Sequence, residues 1–169
     1  NQFSNLLNGV IHLPHTHIPE KNSFSVGQPK YGVEKAEALQ DIINFHGSEN
    51  IAAVIVEPVA GSTGVLVPPI GYLERLRKIC SQNNILLIFD EVITGFGRLG
   101  TGFASDRFKV IPDMMTMAKG ITNATVPMGA VGVNSQIYET LIKNKKEKIE
   151  LFHGYTYSGH PLACAAGLA

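Results

Sequence analysis

Apolar positions in this chain recur with two different periods. Val33, Ala36, Leu39, Ile42 and Ile43 repeat at three- and four-residue spacing, which predicts an amphipathic helix from Val33 to about Phe45. A second stripe, Tyr72, Leu73, Leu76, Ile79 and Cys80, has Glu74, Arg75, Arg77 and Lys78 on its wet side and predicts another helix. A third is expected from Ser135 to about Lys143. Between them lie two continuous apolar runs, Ile51–Val56 and Ile85–Val92, short and rich in branched residues, which read as strands buried on both faces. Shorter strands are expected around Met114–Ala118 and over Gly129–Val133. Residues 1–32 are loop-rich and punctuated by Pro14, Pro19 and Pro29. All-apolar strands separated by helices predict an α/β fold with a mostly parallel sheet covered on both sides. No internal repeat is present.

Length and composition sharpen this picture. The 169 residues suffice for one domain of ordinary size. Charged residues make up 17%, below the roughly 25% usual in globular domains, so much of the chain should be core or covered surface. Basic and acidic residues number 14 each, which leaves no electrostatic footprint for nucleic acid or an anionic membrane. No apolar run is long enough to span a bilayer and the N-terminus lacks a signal-peptide pattern. Cys80 and Cys164 have no metal-type spacing, so a reducing, cytoplasmic setting is expected. The basic run Lys143–Lys148 reads as a solvated helix end and loop.

Candidate chemistry gathers at strand ends, where open α/β sheets bind ligands. Asp90 ends the run Ile85–Phe89, and Lys119 follows the short strand Met114–Ala118. A lysine between an apolar segment and Gly120 is placed for partial desolvation, which lowers an amine's pKa and makes it nucleophilic. Taken alone, the same residues also fit plainer roles: Asp90 as a turn cap or a partner of Arg98, Lys119 as a loop charge.

Three further patterns invite chemistry. Gly95-Phe-Gly-Arg-Leu-Gly100 spells G-x-G-x-x-G after a strand, but residues 101–107 show no helical periodicity, so no helix N-terminus is expected to receive a pyrophosphate. His12, His15 and His17 cluster around Pro14, with Glu20 the nearest acid, and read as a polar loop; no metal site is expected. Tyr155, Thr156, Tyr157 and Ser158, between Gly154 and Gly159 and flanked by His153 and His160, have the composition of a phosphate cradle.

Four ordered stretches resemble the class III (ω-amino acid) pyridoxal-phosphate-dependent aminotransferases: Val56–Pro69, Phe89–Gly100, Pro112–Gly120 and Phe152–Pro161. The resemblance spans nearly the whole chain. Leu13-Pro-His, Ala118–Ala130 and Phe-His-Gly-Tyr-Thr-Tyr are similar to the β-alanine (ω-amino acid):pyruvate branch. Members acting on glutamate-type substrates commonly carry a glutamate where Ser62 stands, to hold a carboxylate-binding arginine aside; a serine there fits pyruvate and alanine as the second pair.

The resemblance implies a fold and a set of roles. The fold would be the central part of the large, aspartate aminotransferase-like (fold type I) domain. Residues 1–169 would form part of that cofactor-binding domain, with an N-terminal part and a C-terminal small domain absent, and the piece alone would have little activity and poor solubility. Lys119 would be the catalytic residue, carrying pyridoxal 5'-phosphate and moving the substrate's proton. Asp90 would hold the pyridine nitrogen protonated. Val92, on the same strand face as Asp90, would press on the ring, and Thr156 would bind the phosphate across a dimer interface. Glu57 would support the site from behind and Ser62 would lie on the substrate side. The reaction would pass the amino group of an ω-amino acid or amine to pyruvate, in a homodimer or dimer of dimers. Other class III activities (diamine–pyruvate, alanine–glyoxylate, adenosylmethionine-dependent) and a non-catalytic α/β ligand-binding module are the alternatives.

Overall fold

Four strands form the sheet: β1 (Ala53–Val56), β2 (Leu86–Asp90), β3 (Met114–Met117) and β4 (Ala130–Val133), in the order β1-β2-β3-β4. β1, β2 and β3 run parallel, and β4 returns antiparallel to β3. The computed structural model describes residues 7–143 and 151–169; apart from Lys143, the basic run read from the sequence lies outside them. The helices are α1 (Pro19–Asn22), α2 (Glu37–His46), α3 (Tyr72–Gln82), α4 (Ala104–Phe108), α5 (Ser135–Ile142) and α6 (Pro161–Leu168). A 3-10 turn, Val33–Ala36, leads into α2, so the first predicted helix is two segments. None of the described helices is long and apolar enough to cross a membrane.

The core lies on one side of the sheet. Val54, Leu87 and Phe89 meet Leu39 and Ile43 of α2 and Leu73, Leu76, Ile79 and Cys80 of α3. Each such side chain contributes about 2 kcal/mol by leaving water. The α3 stripe is buried as its spacing predicts, because residues three and four apart share a helix face. Asp113 ties this layer to the sheet: its Oδ2 accepts from Leu87 N and from Arg77 Nη1, each at 2.7 Å, and its Oδ1 accepts from Asn134 Nδ2 at 3.2 Å. Asn134 in turn caps α5, accepting from Ile137 N.

The other sheet face departs from expectation. Ile55, Ile88, Asp90, Met114, Thr116, Val131 and Val133 share it by register. Ile55 is 61% exposed and Val131 60%. Among the described residues, therefore, the sheet is covered on one face only. The runs Ile51–Val56 and Ile85–Val92 alternate in burial instead of being buried throughout. A continuous apolar run reports that a strand can be covered twice; it does not supply the cover.

At the end of β2 sits a buried carboxylate. Glu91 has no exposed surface. Its Oε2 accepts from Thr94 Oγ1 at 2.6 Å and Ala104 N at 2.8 Å, and its Oε1 accepts from Ser105 N at 2.9 Å. Its own N–H donates to Thr116 O, which continues the β2–β3 ladder. The glycine-rich segment between these anchors is a series of turns, closed by Gly95 N to Glu91 O, Gly97 N to Gly102 O and Gly100 N to Gly97 O. A short helix, α4, does follow it, contrary to the reading of residues 101–107. Its first amides are taken by Glu91, so the anion at that helix start is internal.

Two outcomes follow from this packing. Glu91→Ala strands one hydroxyl and two amides in a buried setting, and the full chain should lose about 3 kcal/mol in denaturant unfolding. Burial also pushes the Cys80 thiol up to about 11, so at pH 8 a maleimide should label Cys80 only after unfolding; labelling of the native chain would contradict a core position.

Candidate active site

The three parallel strands all end on one edge, and each delivers chemistry there. Past the end of β1, Glu57 Oε2 accepts from Gly61 N at 3.0 Å, which fixes the turn Gly61–Gly64 that carries the exposed Ser62. Gly61 lies against Ile93, where an added Cβ would come within 2.5 Å of Ile93 Cδ1, so the β1 turn and the turn after β2 are in close contact. At the end of β2, Asp90 Oδ1 accepts from Val92 N at 3.0 Å. Among the described residues this leaves Oδ2 without a protein donor, and Asp90 forms no ion pair with Arg98.

Val92 is placed differently from its expectation. The strand stops at Asp90, so Val92 belongs to the following turn and not to the strand face. Its amide caps Asp90, and its side chain is half-buried. A two-residue period cannot be extended past the last ladder position.

At the end of β3, Lys119 opens a 3-10 turn, Lys119–Thr122, held by Ala124 N to Lys119 O and Ile121 N to Ala118 O. Lys119 is exposed, not partly desolvated as its apolar neighbours Met117 and Ala118 suggested. Among the described residues it makes no ion pair. Asp90 pairs in register with Thr116, three residues before Lys119, so roughly 10 Å of extended chain separates the lysine backbone from the aspartate's neighbour.

Thr116 adds a feature the sequence did not single out. Its Oγ1 is buried and has no hydrogen-bond partner, and it lies beside Asp90 on the open face. A free carboxylate oxygen, an orphaned hydroxyl and a primary amine on one edge suit a ligand that offers a donor to Asp90 and an electrophilic carbon to Lys119. The backbone around them is strained: Val65, Phe96, Lys119, Asn123 and Ala124 all have left-handed φ, between 51° and 59° except Lys119 at 48°. Such strain persists only where surrounding packing over-determines it, and it gathers at functional sites.

Thr156 is not joined to this cluster by any hydrogen bond. It lies exposed in the turn before α6, where Tyr155 N donates to Ser158 Oγ and Ser158 N to Tyr155 O. Several of its neighbours line a separate open cavity of about 510 Å³ with Met128, His160 and Cys164. His12, His15 and His17 belong to no group of three or more His, Cys, Asp or Glu able to hold a metal among the described residues. Glu91 was visible only as the second of two strand-end carboxylates; its partners are backbone amides, which no side-chain pattern displays.

Comparison with known proteins accounts for this arrangement. The family model for class III aminotransferases matches residues 1–169. The chain is 62% identical to an omega-aminotransferase of Caulobacter vibrioides over 99% of its own length and 38% of that protein. It is 58% identical to a beta-alanine–pyruvate aminotransferase of Pseudomonas aeruginosa, over 95% of this chain and 36% of the relative. Among solved structures, the omega transaminase of Pseudomonas jessenii in complex with PMP superposes with a TM-score of 0.87 at 36% identity, covering 98% of this chain and 37% of that one. The chain thus spans well under half the length of the relatives it matches. The chain belongs to the class III aminotransferases.

Proposed function

We propose that this chain supplies the cofactor-binding core of a pyridoxal-phosphate-dependent transaminase, which passes the amino group of an ω-amino acid such as β-alanine, or of an amine, to pyruvate, giving an aldehyde and alanine. The observation that carries this reading is the delivery of Asp90 and Lys119 to one sheet edge by adjacent parallel strands. The names of the relatives, an omega-aminotransferase and a beta-alanine–pyruvate aminotransferase, favour this substrate pair. The unpaired thiols Cys80 and Cys164 suit a cytoplasmic setting.

The residues fit the cofactor. Asp90 keeps one carboxylate oxygen unengaged, the Thr116 hydroxyl beside it lacks a partner, and the Lys119 amine is open to a carbonyl carbon. Bound pyridoxal phosphate supplies an electron-poor ring that takes up the electron pair released at the substrate's amine-bearing carbon. Asp90 would hold a proton on the ring nitrogen through Oδ2, since Oδ1 is engaged by Val92 N. Lys119 would hold the cofactor through its ε-nitrogen and, with that amine free, would move the proton of the substrate's amine-bearing carbon. Val92, in the turn that follows, would bound the ring beside Asp90. Glu57 keeps the Ser62 turn in place through Gly61 N, on the substrate side. Thr156, in its exposed turn, would offer a hydroxyl to the cofactor phosphate of a neighbouring subunit in a homodimer.

Two measurements test the proposal in the full chain. Borohydride reduction followed by peptide mapping should place the cofactor on Lys119, and Lys119→Ala should abolish the adduct; an adduct that maps to another lysine would overturn the assignment. Asp90→Asn should lower kcat for β-alanine with pyruvate by about a thousandfold, within the usual span for losing a group that controls proton transfer, while the cofactor remains trapped on Lys119.

A further inference from the structure

The glycine-rich segment after β2 leads to a helix start that Glu91 occupies, and it is built tightly against the lysine turn. Gly120, the residue after Lys119, has no room for a side chain. A Cβ there would lie 2.8 Å from Phe96 Cβ, 3.4 Å from Phe96 Cδ2 and 3.5 Å from Gly95 O. Phe96 is held in turn. It adopts a left-handed φ of 59° between Gly95 and Gly97, and its ring packs edge-on against Phe103 at 5.3 Å. Gly95 is itself confined, since an added Cβ would lie 2.9 Å from Glu91 O and 3.3 Å from the Phe103 ring. Phe103 directly precedes the two amides that Glu91 binds. A continuous chain of contacts thus runs from the buried Glu91 through Gly95 and Phe96 to Gly120.

Lys119 needs such support. Its side chain is exposed, so no packing locates it, and its own φ of 48° is unfavourable for a residue with a Cβ. Only the backbone sets where its amine starts from, and at Gly120, the residue next to it, Phe96 is pressed against that backbone from outside the turn. We propose that the Gly95–Gly100 segment is a positioning device for Lys119, in which the Cβ of Phe96 and the carbonyl of Gly95, seated on Gly120, fix the placement of the ε-amine. This inference rests on the reading of Lys119 as the cofactor-carrying residue. Phe96 and Gly120 are positioning residues: they act through the Lys119 backbone.

The geometry makes a specific demand. Because the tight contact is with the Cβ of Phe96, loss of the ring alone cannot make room at Gly120, whereas loss of the Cβ can. In the full chain, Gly120→Ala should reduce the cofactor trapped on Lys119 by borohydride at least about tenfold, since a misplacement near 1 Å can cost about a hundredfold. Phe96→Gly combined with Gly120→Ala should restore trapping to within about threefold of Phe96→Gly alone, and Phe96→Ala combined with Gly120→Ala should not. A second readout uses the cofactor-free protein: competitive acetylation, mapped by mass spectrometry, should show Lys119 reacting differently from the parent in Gly120→Ala and like the parent in the Phe96→Gly pair, with the surface lysines Lys30 and Lys78 unchanged. Equal trapping in parent and Gly120→Ala would overturn the proposal, as would equal recovery with Phe96→Ala and Phe96→Gly. If the parent's adduct maps to a lysine other than Lys119, it is the assignment of Lys119 that fails.

Discussion

The buried carboxylate of Glu91 is the interaction on which the site's framework depends. Removing an ionised group from water costs several kcal/mol unless its oxygens are fully engaged. Here three donors from two parts of the chain converge on it: the Thr94 hydroxyl and the first two amides of α4. Charge-assisted bonds of this kind are stronger than neutral ones, and they join the end of β2, the glycine-rich turns and the start of α4 into one unit. The arrangement also sets the dinucleotide-like fingerprint in a different context. A helix start follows the glycines, and the protein's own carboxylate fills it.

Glu91 and Asp90 show how one strand end separates two jobs. Successive residues of a strand point to opposite faces. Leu87, Phe89 and Glu91 face the layer of α2, α3 and α4, and all three are fully buried. Asp90 faces the other way, with Ile88, Thr116 and Val131. Two carboxylates adjacent in sequence therefore experience different surroundings: one is saturated by protein donors, the other retains a free oxygen. The same alternation that builds the core leaves an acceptor beside the orphaned Thr116 hydroxyl, and a structural acid and a ligand-facing acid need no more than one peptide bond between them.

Much of this was legible in the sequence, and the exceptions share a cause. The stripe from Tyr72 to Cys80, the runs that became β1 and β2, and the placement of Asp90 and Lys119 at strand ends all followed from local periodicity. Local pattern failed wherever the outcome depended on a distant partner. The apolar runs could not say that one sheet face would stay open at Ile55 and Val131. The neighbours of Lys119 suggested desolvation, but exposure is decided by what covers the strand edge. Val92 left the strand because the ladder ends at Asp90. α6 was missed because Pro161–Leu168 is made of small and apolar residues with no polar face to give a period, although Pro161 at its first turn suits a helix start. Glu91 was hidden most completely, since backbone amides thirteen and fourteen residues away leave no trace in side-chain chemistry.

The strained turns along the carboxyl edge can be understood from the same contacts. Left-handed φ at a residue other than glycine costs on the order of 1–3 kcal/mol, and Val65, Phe96, Lys119, Asn123 and Ala124 all adopt it. Strain of that size would relax if the turns were free to move. They are not: Glu57 holds the first through Gly61 N, Gly61 abuts Ile93, Glu91 anchors the second, and Gly120 abuts Phe96. Each glycine marks a place where the main chain approaches a neighbouring side chain more closely than a Cβ would allow. The edge is thus stiffened by side chains seated on its main chain, while the side chains that would do chemistry, Asp90 and Lys119, remain lightly engaged. A long flexible amine on a fixed backbone can reach a carbonyl carbon and then a substrate proton without its anchor moving, so in this fold precision belongs to the main chain and mobility to the side chain.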